Sequence, residues 1–259
     1  MKNFYTIVIA SLLLTTSSFG QDTNSVSHIS DNLGNTESSR AIYKGTLLTS
    51  IGIEYNEEKY QSGDSEFSFK TIGAPVISIG YGIFKFMDIR IGYDLNYYTS
   101  YFSQDGSWSN YYSNIEFGSK INLFKQKEWV PELSYSLYYN SDQFVTNTLA
   151  FSYNLGEKFR VGGNVGLILY DVKKINLDRQ LYFSVNIRYE FFEGFGAFAD
   201  VKSQDRIYDY MTSQFGLYYR LNNNMQFHLN GGKVFYTNIT DLNHNFVNGG
   251  FSWMLFGGR

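Results

Sequence analysis

The stretch that decides the fold is Met87-Asp-Ile-Arg-Ile-Gly-Tyr-Asp-Leu-Asn-Tyr97. Its odd positions carry Met, Ile, Ile, Tyr, Leu and Tyr, and Asp88, Arg90, Gly92, Asp94 and Asn96 stand between them. Successive side chains of a strand point to opposite faces, so this is one strand with an apolar face and a polar, charged face. A helix, with its period of 3.6, would scatter both sets around its circumference. Two such different faces call for two different surroundings.

The split recurs along the chain. Ile115, Phe117, Ile121 and Leu123 oppose Glu116, Gly118, Lys120 and Asn122. Leu181, Phe183, Val185, Ile187 and Tyr189 oppose Tyr182, Ser184, Asn186, Arg188 and Glu190. Phe215, Leu217 and Tyr219 oppose Gln214, Gly216, Tyr218 and Arg220. Twelve segments of this kind lie near 44–56, 75–84, 86–98, 110–124, 130–140, 143–155, 158–170, 179–191, 194–203, 209–221, 224–236 and 244–256. Most exceed the roughly 9–11 residues that cross a bilayer as a tilted strand. Short joins at Lys85, Lys125 to Trp129, Gly156-Glu157, Phe192-Glu193 and Asn222-Asn223 alternate with longer polar ones at 57–74, 99–109, 171–178, 204–208 and 237–243. Ser141-Asp142 is short where a long join is due. Short turns on one side and long loops on the other are how an outer-membrane barrel is built.

Composition agrees. The 259 residues include 23 Tyr, 23 Phe and only 2 Pro, where average usage would supply roughly 13. That many aromatics exclude disorder. The absence of Cys excludes a disulfide scaffold and a thiolate metal site. A net charge of -3 and a pI of about 5.6 leave no electrostatic footprint for nucleic acid. Phe84, Phe124, Trp129, Phe191 and Phe192 gather near the short turns, and Tyr55, Tyr97, Tyr111, Tyr112 and Tyr139 near the long loops, which reads as two interfacial girdles.

Residues 1–20 read as a signal peptide: a basic start at Lys2, an apolar run from Phe4 to Leu14, and Ser18 and Gly20 ahead of cleavage before Gln21. The apolar run is too short to span a membrane as a helix. No Cys follows the cleavage point, so a lipid anchor is not expected. Residues 21–40 are a flexible polar lead-in, and 41–259 form one domain. The rival fold, a soluble sandwich or lipocalin-like barrel, also alternates. It is disfavoured by the export signal, by strands longer than the usual 5–6 residues, and by the tyrosine belt. The expectation is all-β: a single up-and-down antiparallel transmembrane β-barrel of about twelve strands in an outer membrane, with both barrel termini periplasmic.

In such a barrel the charged face is the lumen. Its expected lining is Glu54, Asp88, Arg90, Asp94, Glu116, Lys120, Glu132, Arg160, Arg188, Glu190, Asp200, Lys202, Arg220 and His228. Acids and bases almost balance, which fits a paired network stiffening the barrel beside a slim path. Inward glycines, among them Gly118, Gly166, Gly196 and Gly216, fit curvature relief better than making room for Tyr138, Tyr182, Phe198 and Tyr218. His228 and Ser252 could be neighbours on adjacent strands, but nothing in the spacing supplies an oxyanion hole or a third member. Gly194-Phe-Gly196-Ala-Phe-Ala199 imitates a dinucleotide loop but lies inside an alternating strand with no helix after it. No catalytic residue, metal site or cofactor is expected.

The run Lys44-Gly-Thr-Leu-Leu-Thr-Ser-Ile-Gly-Ile-Glu54-Tyr55 is followed by Thr71-Ile-Gly-Ala-Pro75-Val-Ile-Ser-Ile-Gly-Tyr-Gly82 and by Met87-Asp-Ile-Arg90-Ile-Gly92. With Asn114 to Phe124 and Trp129-Val-Pro-Glu132, this resembles the exported transporter barrels of the meta-pathway-of-phenol-degradation family over roughly 40–155. The acid-Arg-Pro element expected before Thr36-Glu37 is missing. The resemblance implies a Gram-negative, porin-like barrel that moves small aromatic or hydrophobic compounds, and it carries over no substrate-binding residue. The expected function is passive diffusion of small solutes through the mixed-charge lumen. The alternative is a non-conducting surface or scaffold barrel acting through its loops. Expected partners are membrane lipids and lipopolysaccharide, the barrel-assembly machinery and a small solute, with no nucleic acid.

Overall fold

A strand greasy on one side and charged on the other cannot end at a free edge inside lipid, because each unpaired backbone group there costs several kcal/mol. Closing the sheet on itself removes the edge. The computed structural model describes residues 32–33, 36–37, 40–62, 65–102, 106–142, 144–170, 178–205, 210–222, 224–237 and 242–255. The expected signal peptide and most of the lead-in lie outside the described residues.

The chain forms a closed antiparallel barrel of twelve strands. They are β1 Leu47–Ser62, β2 Ser65–Phe84, β3 Met87–Phe102, β4 Gly106–Phe124, β5 Glu132–Asn140 and β6 Val145–Leu155. The second half comprises β7 Phe159–Tyr170, β8 Asp178–Phe192, β9 Phe195–Asp205, β10 Tyr210–Asn222, β11 Met225–Thr237 and β12 Asn243–Leu255. Each strand pairs with the next, and β12 returns to β1 through Leu255↔Leu47 to Asn243↔Lys59.

Burial follows sequence parity. On β3, Ile91 is 55% exposed while Asp88 is 0% and Arg90 is 8% exposed. The outer surface carries an apolar belt that includes Phe117, Leu149, Ile187, Phe215, Leu229 and Val247. So large an exposed apolar surface, around an interior of carboxylates, amides and guanidinium groups, belongs in lipid rather than water. Aromatic pairs mark both ends: Phe192 stacks on Phe195 with centroids 5.0 Å apart at the short turns, and Phe69 stacks on Tyr98 at 5.9 Å near the other rim.

Two stretches expected as loops are largely strand. Residues 57–62 pair with 65–70, out to Ser62↔Ser65, and β3 and β4 stay paired to Phe102↔Gly106. The ladder there runs on beyond the apolar belt. The sequence there is polar or mixed on both faces, so alternation lapses while the hydrogen bonds continue.

The rim is uneven. β4 pairs with β3 from Ile121 up to its first residue, Gly106, but with β5 only as far as Glu116↔Asn140. Ser141 closes that last pairing: its N–H donates to the Ile115 carbonyl (2.8 Å) and its Oγ accepts from Ile115 N–H (3.0 Å). Beyond this point the wall of β1 to β4 stands higher than the β5–β6 hairpin. On the tall side, Ala74 and Pro75 of β2 stand against the single residue Leu95, a bulge that accommodates a proline with no N–H to offer the ladder.

Candidate functional site

Strand parity aims the polar residues inward, and register decides which of them meet. Asp88, Arg90, Lys120, Glu132, Arg188 and Asp200 are buried, and Glu54, Asp94, Glu116, Arg160, Glu190, Lys202, Arg220 and His228 are half-buried. Arg90 grips Asp88 two residues along the same strand, with Nε donating to Oδ1 and Nη2 to Oδ2, both at 2.8 Å. Arg220 Nη2 donates to both oxygens of Glu190, at 2.5 and 2.6 Å. Arg160 donates to Ser152 Oγ (2.5 Å) and lies 3.6 Å from Glu132. Register sets Arg188 directly opposite Arg160, two like charges, and Arg188 instead lies over the Tyr218 ring, 3.9 Å from its centroid. Lys202 Nζ stands 5.2 Å from the Tyr182 centroid.

Sequence reading missed what lies across the short-turn end of the lumen. Residues 40–46, ahead of β1, pack inside the barrel wall as a strap. Gly45 N–H donates to Gly82 O (2.8 Å) and Gly82 N–H to Thr46 O (3.0 Å). Ile42 N–H donates to Asp88 Oδ2 (2.6 Å) and Ala41 N–H to Asn122 Oδ1 (2.8 Å). Arg40 Nε then donates to Glu132 Oε2 at 2.9 Å. The anchors thus run from β2 through β3 and β4 to β5. Ile42 is buried against Gly80, and the strap carbonyls pass so close to Gly82 that a Cβ there would collide with backbone. These two glycines were the only sign of the strap in the sequence.

The inward glycines have a steric role, contrary to the curvature reading. Tyr138 stands opposite Gly118, Tyr182 opposite Gly166, Phe198 opposite Gly216 and Tyr218 opposite Gly196. In each case a Cβ on the glycine would land on the ring. Phe246 and His228 stand likewise opposite Gly232 and Gly250, where an added Cβ would meet ring atoms at 2.5 and 2.7 Å. Six inward rings are therefore laid along the wall, each in the slot its neighbouring strand leaves empty.

Above the Arg90–Asp88 pair, towards the long-loop end, this arrangement leaves a cavity of about 360 Å³. Its wall includes Ser78, Asp94, Asn114, Glu116, Tyr138, Asn140, Thr146, Thr148 and Tyr182. Asn140 and Thr146 belong to the low β5–β6 hairpin, which places the mouth of this cup beside the dip in the rim. The far wall, β10 to β12, presents buried polar atoms of Gln214, Gln226, His228, Asn230 and Asn248 that have no protein partner. Such groups belong to a hydrated bore, since a dry one would leave them at a cost of about 1–3 kcal/mol each.

Register does not set His228 opposite Ser252. His228 pairs with Gly250 and Ser252 with Gln226, so the two are diagonal neighbours, and His228 Nδ1 has no hydrogen-bond partner. Among the described residues, no group of three or more His, Asp or Glu is placed to hold a metal ion.

No protein-family model matches the chain, and no curated protein is significantly similar to it. Solved structures do match. An outer membrane channel from Pseudomonas putida F1 is similar over 83% of this chain and 97% of its own, at 13% identity and a TM-score of 0.63. The transport unit of the autotransporter AIDA-I from Escherichia coli is similar over 97% of each chain, at 11% identity and a TM-score of 0.58. The NanC porin is similar over 79% of this chain and 100% of its own, at 9% identity and a TM-score of 0.50. At these identities the likeness is one of fold: the chain has the architecture of outer-membrane β-barrels.

Proposed function

We propose that the chain is a passive outer-membrane channel for small solutes, of the transporter type that its 40–155 segment resembles. The supporting observation is the cup: a cavity of about 360 Å³ lined by hydroxyl, amide and carboxylate groups inside a closed, lipid-facing barrel. Solutes enter from the long-loop side, pass the Asp94 and Glu116 level, and meet the Arg90–Asp88 layer with the strap beneath it. Both termini then face the periplasm. The barrel sits among lipid and lipopolysaccharide, and the assembly machinery inserts it. The Tyr138 and Tyr182 rings would suit the aromatic cargo implied by the resemblance, but the rest of the wall is polar.

Single-channel recording of purified protein in planar bilayers tests the proposal. Ion current in the intact mature chain, rising when residues 21–46 are removed, is the expected result. The strap supports a second reading, a non-conducting surface barrel. Absence of current in both forms would establish that reading and end the first.

A further inference from the structure

We propose that the cup is a binding station for a small polyhydroxylated solute of the mono- or disaccharide class. This rests on the channel reading for its place in a transport path, though the chemistry of the station stands on its own residues. Its volume of about 360 Å³ falls within the roughly 300–1,000 Å³ of small-molecule sites.

One aromatic platform, the half-buried Tyr138, is fixed in its wall, and Tyr182, buried with Lys202 Nζ over its ring, closes the wall beside it. Tyr138 lies against Gly118 and Tyr182 against Gly166, so neither ring can turn into its neighbouring strand. Tyr182 is held further by a hydrogen bond between its hydroxyl and Thr148 Oγ1. A ring such as Tyr138 offers a flat apolar surface that costs little side-chain entropy to use. Around the tyrosines stand Ser78, Asn114, Thr146 and Asp94, which together supply both donors and acceptors. Arg90 forms the base, its guanidinium oriented by Asp88.

An apolar solute would cover the ring and strip water from the surrounding hydroxyl and amide groups without replacing it, which is costly. An inorganic ion would use the carboxylate and leave the ring idle. A sugar ring carries both surfaces at once: C–H groups on its face for Tyr138, and hydroxyls on its rim that both give and take hydrogen bonds. That pairing of a flat ring with mixed polar groups is what the cup presents.

The test is saturation-transfer NMR on the mature protein in detergent micelles, with glucose, galactose, xylose and maltose as probes and benzyl alcohol as the aromatic control. Irradiating protein aromatic protons is expected to transfer saturation to the ring C–H protons of at least one sugar, in a saturable manner. Tyr138→Phe should keep the effect. Tyr138→Ala should weaken binding about tenfold, the loss expected for one aromatic face. Folding of each variant is checked by its heat-modifiable gel migration. Should the alanine variant fail to fold, Thr146→Val removes one hydroxyl from the half-buried wall and should weaken binding about fivefold. No transfer to any of the four sugars, equal transfer in the folded alanine variant, or displacement of sugar by benzyl alcohol overturns the proposal. Ion current is recorded in parallel: sugar binding without current removes the channel and keeps the station, and current without sugar binding does the reverse.

Discussion

Asp88→Asn tests whether the strap floors the lumen. Asp88 is wholly buried and accepts three hydrogen bonds: two from Arg90 at 2.8 Å and one from Ile42 N–H at 2.6 Å. Asparagine keeps the size but loses the charge, and its amide group cannot accept from all three donors. A hydrogen bond to a charged group contributes about 1.5–3 kcal/mol, so losing the one at Ile42 shifts strap docking roughly ten- to a hundredfold. Arg90 is left in the wall without its counter-charge, at about 3–5 kcal/mol. The barrel ladder is untouched and closure should persist. Proteolysis of folded protein, read by cleavage between residues 21 and 46, is expected to accelerate, and single-channel conductance to rise. The double variant Asp88→Asn/Arg90→Gln removes one of the two buried cations beside Asp88, the other being Lys120 directly opposite it in register. It should recover part of the barrel stability and leave the strap as exposed as in the single variant. A folded Asp88→Asn protein with wild-type strap protection and wild-type conductance would refute the reasoning.

Other substitutions probe the wall. Gly216→Val drives a side chain into Phe198 and to within 2.6 Å of Asn230 Cβ, and should cost about 1–3 kcal/mol in urea unfolding, with Phe198→Ala as second-site rescue. Phe215→Arg, next to it in sequence but on the lipid face, should cost about 2–4 kcal/mol when folding is measured into bilayers, and no inward change should relieve it. Arg220→Ala leaves the largely buried Glu190 without its cation and should cost about 3–5 kcal/mol, whereas Glu190→Ala/Arg220→Ala together should cost clearly less than the sum, which a double-mutant cycle measures.

The strand count was legible because lipid and lumen differ so sharply. Wherever a strand lay between them, parity alone assigned its faces: Ile89 and Ile91 outward, Asp88 and Arg90 inward. Legibility ended where the lipid did. In Glu57 to Ser62 and Ser65 to Lys70 both faces are polar or mixed, so periodicity gave no strand, although Glu57↔Lys70 and Tyr60↔Phe67 are paired. A local signal was there in the dipeptide Gly63-Asp64, one of the residue pairs that favour a two-residue hairpin connection. The strap was less legible still. Its anchors Asp88, Asn122 and Glu132 are ordinary inward polar residues, and Arg40 reaches Glu132 across 92 positions. Parity tells which way a side chain points. It does not tell what a preceding segment will lay against it.

The glycines show why register had to be seen. Parity places Gly216, Phe198 and Tyr218 all in the lumen, and that alone is equally compatible with curvature relief. Only the pairing Phe198↔Gly216 and Gly196↔Tyr218 shows each ring facing an empty slot. A slip of two residues between β9 and β10 keeps every residue on its proper face, so hydrophobic pattern barely opposes it. Yet such a slip would set Phe198 against Tyr218 or against Gln214, each too large to leave the slot empty. The same holds for Tyr182 of β8 against Gly166 of β7 and for Phe246 of β12 against Gly232 of β11. Ring-on-glycine pairs thus add a steric check on register that alternation cannot supply. They also clear the bore, because a ring laid along the wall occupies less of the lumen than one pointing at its axis, and the cup exists in the room so gained.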